Sequence, residues 1–230
     1  MANFQRQLDI LPPQALVYPV HCIGLGGIGS NTAFYLRKMG FNHFTLWDHD
    51  VVEAHNVPSQ HFFTEHIVKS KTQAVADQLM QALDAPLTCI ARPEKCDQDA
   101  ELSGIVVAGV DTMPAREDIW RAVLASKTMV PLYIDGRIGV VWDGEEAKVT
   151  AELIEIFTIM PLRLDDRDLY EDHLGGEAEP LRCTAQAVAY IGAFVAGFIC
   201  ANIRKWITKQ PYHRYILYDC LTNQVLVAKT

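Results

Sequence analysis

The chain has 230 residues, half of them hydrophobic and 21% charged, and its 28 acids outnumber 20 Lys and Arg to give a formal net charge of −8. That apolar content, with a mean hydropathy of +0.06, excludes intrinsic disorder, and the length suits one compact domain with a sizeable core. An acidic chain without a basic run is no phosphate-backbone binder, so nucleic acid is not expected as a partner.

Residues 1–16, beginning MANFQRQLDILPPQ, carry adjacent prolines and no uninterrupted apolar stretch. They read as an N-terminal arm rather than a secretory leader or membrane anchor, and a cytoplasmic location is expected. From residue 17 apolar strands alternate with helical stretches: a strand at Val20–Ile23, a helix from about Ser30, a strand at 44–47 and a helix over 72–83. Strands at 87–90, Ile105–Ala108 and 130–134, with a helix around 116–126, continue the rhythm. This predicts an α/β fold, a doubly wound and mostly parallel sheet with helices on both faces, whose nucleotide-binding half runs over residues 17–135 and ends at Asp135-Gly136.

The pattern then shortens to 138–142 and 147–150 around the turn-like Asp143-Gly144, which predicts antiparallel strands added to the same sheet in a substrate-facing half, residues 136–230. Residues 164–181 are polar and acidic and hold a Gly-Gly pair and a proline, so they read as a mobile crossover loop. The apolar run 187–201 falls short of the roughly 20 residues a bilayer core requires and reads as a buried helix, with no membrane span expected. Its Gly192, Ala193, Ala196 and Gly197 would let another backbone approach, within the fold or across a dimer interface. Stretches 214–219 and Gln224–Val227 flank Leu221-Thr222-Asn223 as a closing hairpin.

The six cysteines form no C-x-x-C pair and no zinc-type Cys/His spacing, so no structural zinc is predicted. Cys22 and Cys200 lie in apolar segments and read as small buried hydrophobes. Cys183, in PLRCTAQAV just before the apolar helix, sits where a helix dipole would favour thiolate, which makes it a candidate nucleophile.

The strand ending at Ile23 runs into Gly24-Leu25-Gly26-Gly27-Ile28-Gly29-Ser30. Glycines at Gly24, Gly26, Gly27 and Gly29 allow a sharp turn and bring backbone N–H groups against a phosphate at a helix N-terminus. Asp48 follows about 20 residues later, where a ribose-binding acid sits in dinucleotide folds. These features predict a bound nucleotide and leave NAD, FAD and ATP open.

Further segments, WDHDVVEAHNVPSQHFF, IVKSKTQAVADQL and VVAGVDTMPAR, place polar groups at strand ends. With GLGGIGS they resemble the ThiF/MoeB/HesA family, prokaryotic relatives of ubiquitin-activating enzymes with a Rossmann-like adenylation domain. Its pattern is GxGGxG, D-x-D-x-V-x-x-x-N-x-x-x-Q, a following Lys, and D-N/T-x-x-x-R. The resemblance implies that Gly27 contacts ATP, Asp48 holds the ribose, Asn56 and Lys71 contact the phosphates and Asp111 holds Mg²⁺. By the same motifs Asp50, Gln60 and Thr112 belong to the nucleotide site. His49, His55 and His61 are then better explained by that site than as a metal cluster. The family has arginine directly before the glutamine of N-x-x-R-Q, and this chain has Ser59 there. NFQRQL resembles the family's N-terminal R-Y-x-R-Q segment, whose second arginine reaches the ATP of a partner subunit. Arg6 matches it, and Lys69 is a weaker substitute.

The resemblance thus implies a homodimeric, ATP- and Mg²⁺-dependent enzyme that adenylates the C-terminal carboxylate of a small ubiquitin-like protein or a peptide, with Cys183 forming a thioester. Two other readings remain: a noncatalytic nucleotide-binding scaffold or heterodimer partner, suggested by Ser59, and an NAD-dependent oxidoreductase using the glycine loop and Asp48.

Overall fold

The computed structural model describes residues 4–174 and 188–227. Eight strands form one sheet: β1 Val20–Ile23, β2 His43–Trp47, β3 Thr88–Arg92, β4 Ile105–Ala108, β5 Leu132–Asp143, β6 Lys148–Ile159, β7 Tyr215–Asp219 and β8 Gln224–Val227. Their spatial order is β3-β2-β1-β4-β5-β6-β7-β8. The first five run parallel, and β5 through β8 pair antiparallel, which is the doubly wound sheet with antiparallel additions expected from the sequence.

Alternation along the strands sorts the core into two layers. Val20, Cys22, Ile105, Val107, Leu132 and Ile134 face α1 Gly27–Met39, α2 Lys71–Ala82 and α5 Ala189–Ile207. Ile23, Val106, Ala108 and Tyr133 face α3 Met113–Ala125 and α4 Leu164–Glu171. Strands buried on both faces read as continuous apolar runs, the sequence signature of a parallel sheet between helices. Helix ends follow local chemistry: the Ser70 hydroxyl accepts from the Gln73 N–H at the start of α2, and α1 stops at Gly40, whose φ of 109° closes a left-handed C-cap.

Two expectations need correction. Asp135-Gly136 does not end a strand, because β5 runs through it without interruption. A Cβ on Gly136 would sit 2.9 Å from Val195 Cγ1 and 3.3 Å from Ile28 Cγ2, so this glycine serves helix packing rather than a turn. The two halves expected to meet there therefore share one strand. Residues 164–181 also do not begin as a loop: 164–171 form α4. Its inward residues, Asp166 and Tyr170, lie one turn apart and are polar, so the helix shows no apolar stripe. Asp166 accepts from the Met160 N–H at 2.8 Å and pairs with Arg214 at 3.0 Å. The rest of that segment lies largely outside the described residues, as does Cys183.

The helix expected over 187–201 is α5, and among the described residues no helix is long and apolar enough to cross a membrane. Of its two glycines, Gly192 is the one in close contact: a Cβ there would meet the Gly27 carbonyl oxygen at 2.5 Å, whereas one on Gly197 would meet nothing within 4 Å.

Candidate nucleotide-binding site

The chain leaves β1 for β2 and β3 on one side, then returns to place β4 on the other. Diverging connections open a crevice beyond the carboxyl ends of β1 and β4, the place where ligands enter doubly wound sheets. A cleft of about 630 Å³ lies there, lined by Gly24, Gly26 and Gly27 after β1, Asp48 and Asp50 after β2, and Gly109, Val110, Asp111 and Thr112 after β4.

The loop's glycines have separate jobs. Gly24 adopts φ +80°, and a Cβ there would lie 2.9 Å from the Gly109 carbonyl group. A Cβ on Gly29 would lie 1.9 Å from the Gly24 carbonyl oxygen, so the turn cannot close over any side chain. Gly26 faces space, its nearest neighbour being Gln60 Nε2 at 3.9 Å from a built Cβ. The result is a cradle of backbone at the N-terminus of a 13-residue helix, which suits an anion.

Asp48 is buried and fastens the loop from β2: Oδ2 accepts from the Leu25 N–H at 2.7 Å and Oδ1 from the Asp50 N–H at 2.8 Å. Each oxygen keeps a further lone pair for a ribose hydroxyl. Lys71, 7% exposed at the first position of α2, donates from Nζ to Asp50 Oδ2 at 2.8 Å. Partial burial works to raise the Asp50 pKa, but the Lys71 hydrogen bond and charge, aided by His49 and Lys95, outweigh it and hold the carboxyl below its usual range. Lys71 is thus pre-positioned and charge-balanced at the cleft wall.

Asn56 is buried in the wall and accepts from the Glu53 N–H at 2.9 Å. Gln60 also lines the cleft, and its Oε1 is buried without a hydrogen-bond partner, an acceptor that a bound ligand could satisfy. Asp111 and Thr112 are exposed on the loop after β4; Thr112 occupies the N-cap of α3 yet makes no side-chain capping bond. Ser59 lines the same cleft.

The donor set fits the groups a nucleotide polyphosphate needs. Mg²⁺ binds through one or two carboxylates plus phosphate oxygens, and the exposed Asp111 supplies such a ligand. Asp48, His49 and Asp50 also bring ligand atoms within 4.8 Å of one another. There both Asp48 oxygens are already engaged by backbone N–H groups and Asp50 by Lys71.

Arg6 stands apart. It is exposed in a short 3-10 turn, Gln5–Gln7, held where the Gln7 side chain donates to the Met39 carbonyl at 2.7 Å. That is the C-terminal end of α1, about 20 Å by helix rise from the glycine loop at the other end. Lys69 is engaged with Asp77 at 3.2 Å.

The structure adds residues that sequence reasoning missed. Arg116, the last residue of the DTMPAR segment, lines the cleft; its place in the motif was a usable signal. Trp47, Lys95, Cys96, Ile138 and Val140 complete the walls and carry no spacing that would have revealed them. Burial first, then Asp97, Asp118 and Glu94, push the Cys96 thiol up to about 12, so it is protonated at neutral pH and is no nucleophile.

Among curated proteins, the chain is 28% identical over 138 residues to the sulfur carrier protein ThiS adenylyltransferase of Escherichia coli K12, covering 58% of this chain and 52% of that protein. It is 30% identical over 114 residues to the adenylyltransferase and sulfurtransferase MOCS3 of Mus musculus, covering 47% and 25%. It therefore spans about half the length of the first of these relatives and a quarter of the second. Similar solved structures include E. coli MccB with ATP, at TM-score 0.67, 18% identity, and coverage of 94% of this chain and 65% of that one. PaaA has a TM-score of 0.66 at 16% identity with the same coverage. These likenesses speak to the fold. The ThiF family model matches residues 16–230, spanning the glycine loop, Asp48, Lys71 and Asp111, and the chain belongs to the ThiF family.

Proposed function

We propose that this chain is an ATP-dependent adenylyltransferase acting on the C-terminal carboxylate of a small ubiquitin-like carrier protein or a peptide. The observation that carries the reading is the convergence on one cleft of the glycine cradle, the Asp48 clasp, the Lys71–Asp50 pair and Asp111. A dehydrogenase needs the first two and has no use for a buried lysine and an opposed acid. A relative named for the sulfur carrier protein ThiS and a neighbour solved with MccA support a carrier or peptide substrate.

In the proposed reaction a carboxylate oxygen attacks the α-phosphorus of ATP, the bond from that phosphorus to the bridging oxygen breaks, and pyrophosphate leaves with the electron pair. An acyl adenylate results. The nucleophile is already ionised at neutral pH, so no general base is required, and the work is positioning and charge stabilisation. The loop N–H groups and α1 dipole hold phosphate, Asp48 holds ribose, Asn56, Gln60 and Thr112 shape the walls, and Lys71 turns from Asp50 toward the triphosphate. Bound Mg²⁺, held by Asp111, would neutralise charge developing on the leaving phosphates.

Ser59 leaves no arginine at the motif position before Gln60, and the proposed replacement is Arg6 of a second copy. Because Arg6 sits at the far end of α1 from its own chain's cradle, it can serve phosphates only in trans, which makes a homodimer part of the proposal. Cys183, outside the described residues, is the proposed acceptor: its thiolate attacks the acyl carbon, a thioester forms and AMP leaves. A cytoplasmic setting is proposed with it. Ser59 also favours a second reading, a noncatalytic nucleotide-binding partner.

The test is calorimetry with ATP·Mg²⁺ and NAD, followed by pyrophosphate–ATP exchange with carriers and peptides ending in a free carboxylate. Preference for ATP with carrier-dependent exchange is expected. ATP binding without exchange would favour the noncatalytic reading, and preference for NAD would sink both.

A further inference from the structure

Behind the cleft, on the face covered by α3 and α4, one carboxylate gathers side chains from separate elements. Asp135, on β5, is 0% exposed. Its Oδ1 accepts from Arg116 Nε on α3 at 3.2 Å; its Oδ2 accepts from Arg137 Nε at 2.7 Å and from the Tyr170 hydroxyl on α4 at 3.0 Å. Since Tyr170 gives its proton to Asp135, the contact of 2.7 Å between Tyr133 and Tyr170 has Tyr133 as donor.

Both arginines reach on to main-chain carbonyls. Arg116 Nη2 donates to the Val110 carbonyl, immediately before Asp111. Arg137 Nη1 donates to the His173 carbonyl at 3.2 Å, just past α4, while its guanidinium stacks 4.4 Å from the Phe157 ring centroid. An unbroken path therefore runs from the Val110 carbonyl through Arg116, Asp135 and Arg137 to the His173 carbonyl. Among the described residues Arg137 Nη2 is buried and has no acceptor, so this end of the path is incompletely satisfied.

We propose that Asp135 is a positioning residue that couples occupancy of the nucleotide cleft to the backbone at the end of α4. A ligand that draws Asp111 toward it moves the Val110 carbonyl, and with it the Arg116 fork. Planar forks hold two acceptors in fixed relative geometry, so the displacement is passed to Asp135 and then to Arg137 and His173. The backbone at the end of α4 thereby senses whether nucleotide is present. This rests on the nucleotide reading of the cleft.

The experiment is hydrogen–deuterium exchange of the full chain with and without saturating ATP·Mg²⁺, with ATP affinity measured calorimetrically on the same protein. In the wild type, nucleotide should slow exchange by about threefold or more both at 110–116 and at 166–174. Asp135→Asn should keep the first effect and lose the second. Arg137→Lys, which keeps the charge but cannot span Asp135 and the His173 carbonyl together, should do the same with the protein still folded, and it decides the matter if Asp135→Asn fails to fold. Protection of 110–116 alone in the wild type, or coupled protection surviving in Arg137→Lys, would overturn the coupling while leaving the nucleotide site intact. Absence of ATP binding would overturn the reading of the cleft and the coupling with it.

Discussion

Gly192→Ala is expected to damage both the fold and the nucleotide loop, although an Ala for Gly exchange inside a helix ordinarily stabilises by up to about 1 kcal/mol. The added Cβ would lie 2.5 Å from the Gly27 carbonyl oxygen, 3.0 Å from its carbon and 3.3 Å from Asn31 Nδ2. Asn31 donates from that nitrogen to the same carbonyl at 2.7 Å, so the clash falls on a hydrogen-bonded backbone group. Relief to an ordinary contact of 3.4 Å requires roughly 0.9 Å of movement, and overpacking of this kind costs about 1–3 kcal/mol. Because the obstacle is main chain, the upper part of that range applies, and the net loss after the propensity gain is about 2 kcal/mol. For a chain of this size that corresponds to a fall in Tm of about 4–8 °C.

Gly27 is the first residue of α1, so the displaced carbonyl carries the cradle with it, and ATP affinity should fall on the order of 10-fold. Gly197→Ala, in the same helix but with open space at its Cβ, is the control and should raise Tm by about 2–4 °C. Differential scanning fluorimetry and calorimetric titration of ATP·Mg²⁺ measure both. If the two variants shift Tm alike, or if Gly192→Ala binds ATP as the wild type does, the close approach of α5 does not hold the loop in its ligand-binding shape.

Removing the Lys71 ammonium in Lys71→Ala should leave Tm nearly unchanged, because Asp50 is half exposed and can hydrate. Exchange activity should fall on the order of 10²- to 10³-fold, and full activity in that variant would remove Lys71 from the site. Arg6→Ala should lose activity by roughly 10³- to 10⁵-fold, and mixing it with Asp111→Ala should restore about a quarter of the wild-type rate through mixed dimers. No restoration on mixing argues against action in trans. His21, buried between Trp47 and Ser103, has its pKa lowered to about 4, chiefly by burial and secondarily by Arg92. Between the ordinary value of 6.5 and about 4 the unfolded chain takes up a proton that the folded chain refuses, so stability is full above that window and falls with pH inside it. The loss reaches about 3 kcal/mol near pH 4, and His21→Gln should flatten that part of a urea-denaturation pH profile.

Much of the fold was legible in order along the chain. Strands buried on both faces declared themselves as short apolar runs, and the glycine loop announced a turn that only residues without Cβ can make. Asp48 stood at the expected distance, and the change of rhythm after 135 foretold antiparallel strands. Each of these is a local property, a period or a backbone angle, and local properties are written in consecutive residues.

What the tertiary structure decided are pairings between distant residues. Asp135-Gly136 looks like a turn by composition, yet Gly136 is small to admit Val195 and Asp135 is ionic to meet Arg116, Arg137 and Tyr170. α4 was hidden because its inward positions are polar and are satisfied by Arg214 and Asp135, partners the local sequence does not contain. Lys71 was named as a phosphate ligand, but its pairing with Asp50 across 21 residues, and the placing of Arg6 at the wrong end of α1 for its own cradle, follow from packing alone. A buried polar group is stable only where partners meet it, and those partners come together only when the helices close on the sheet.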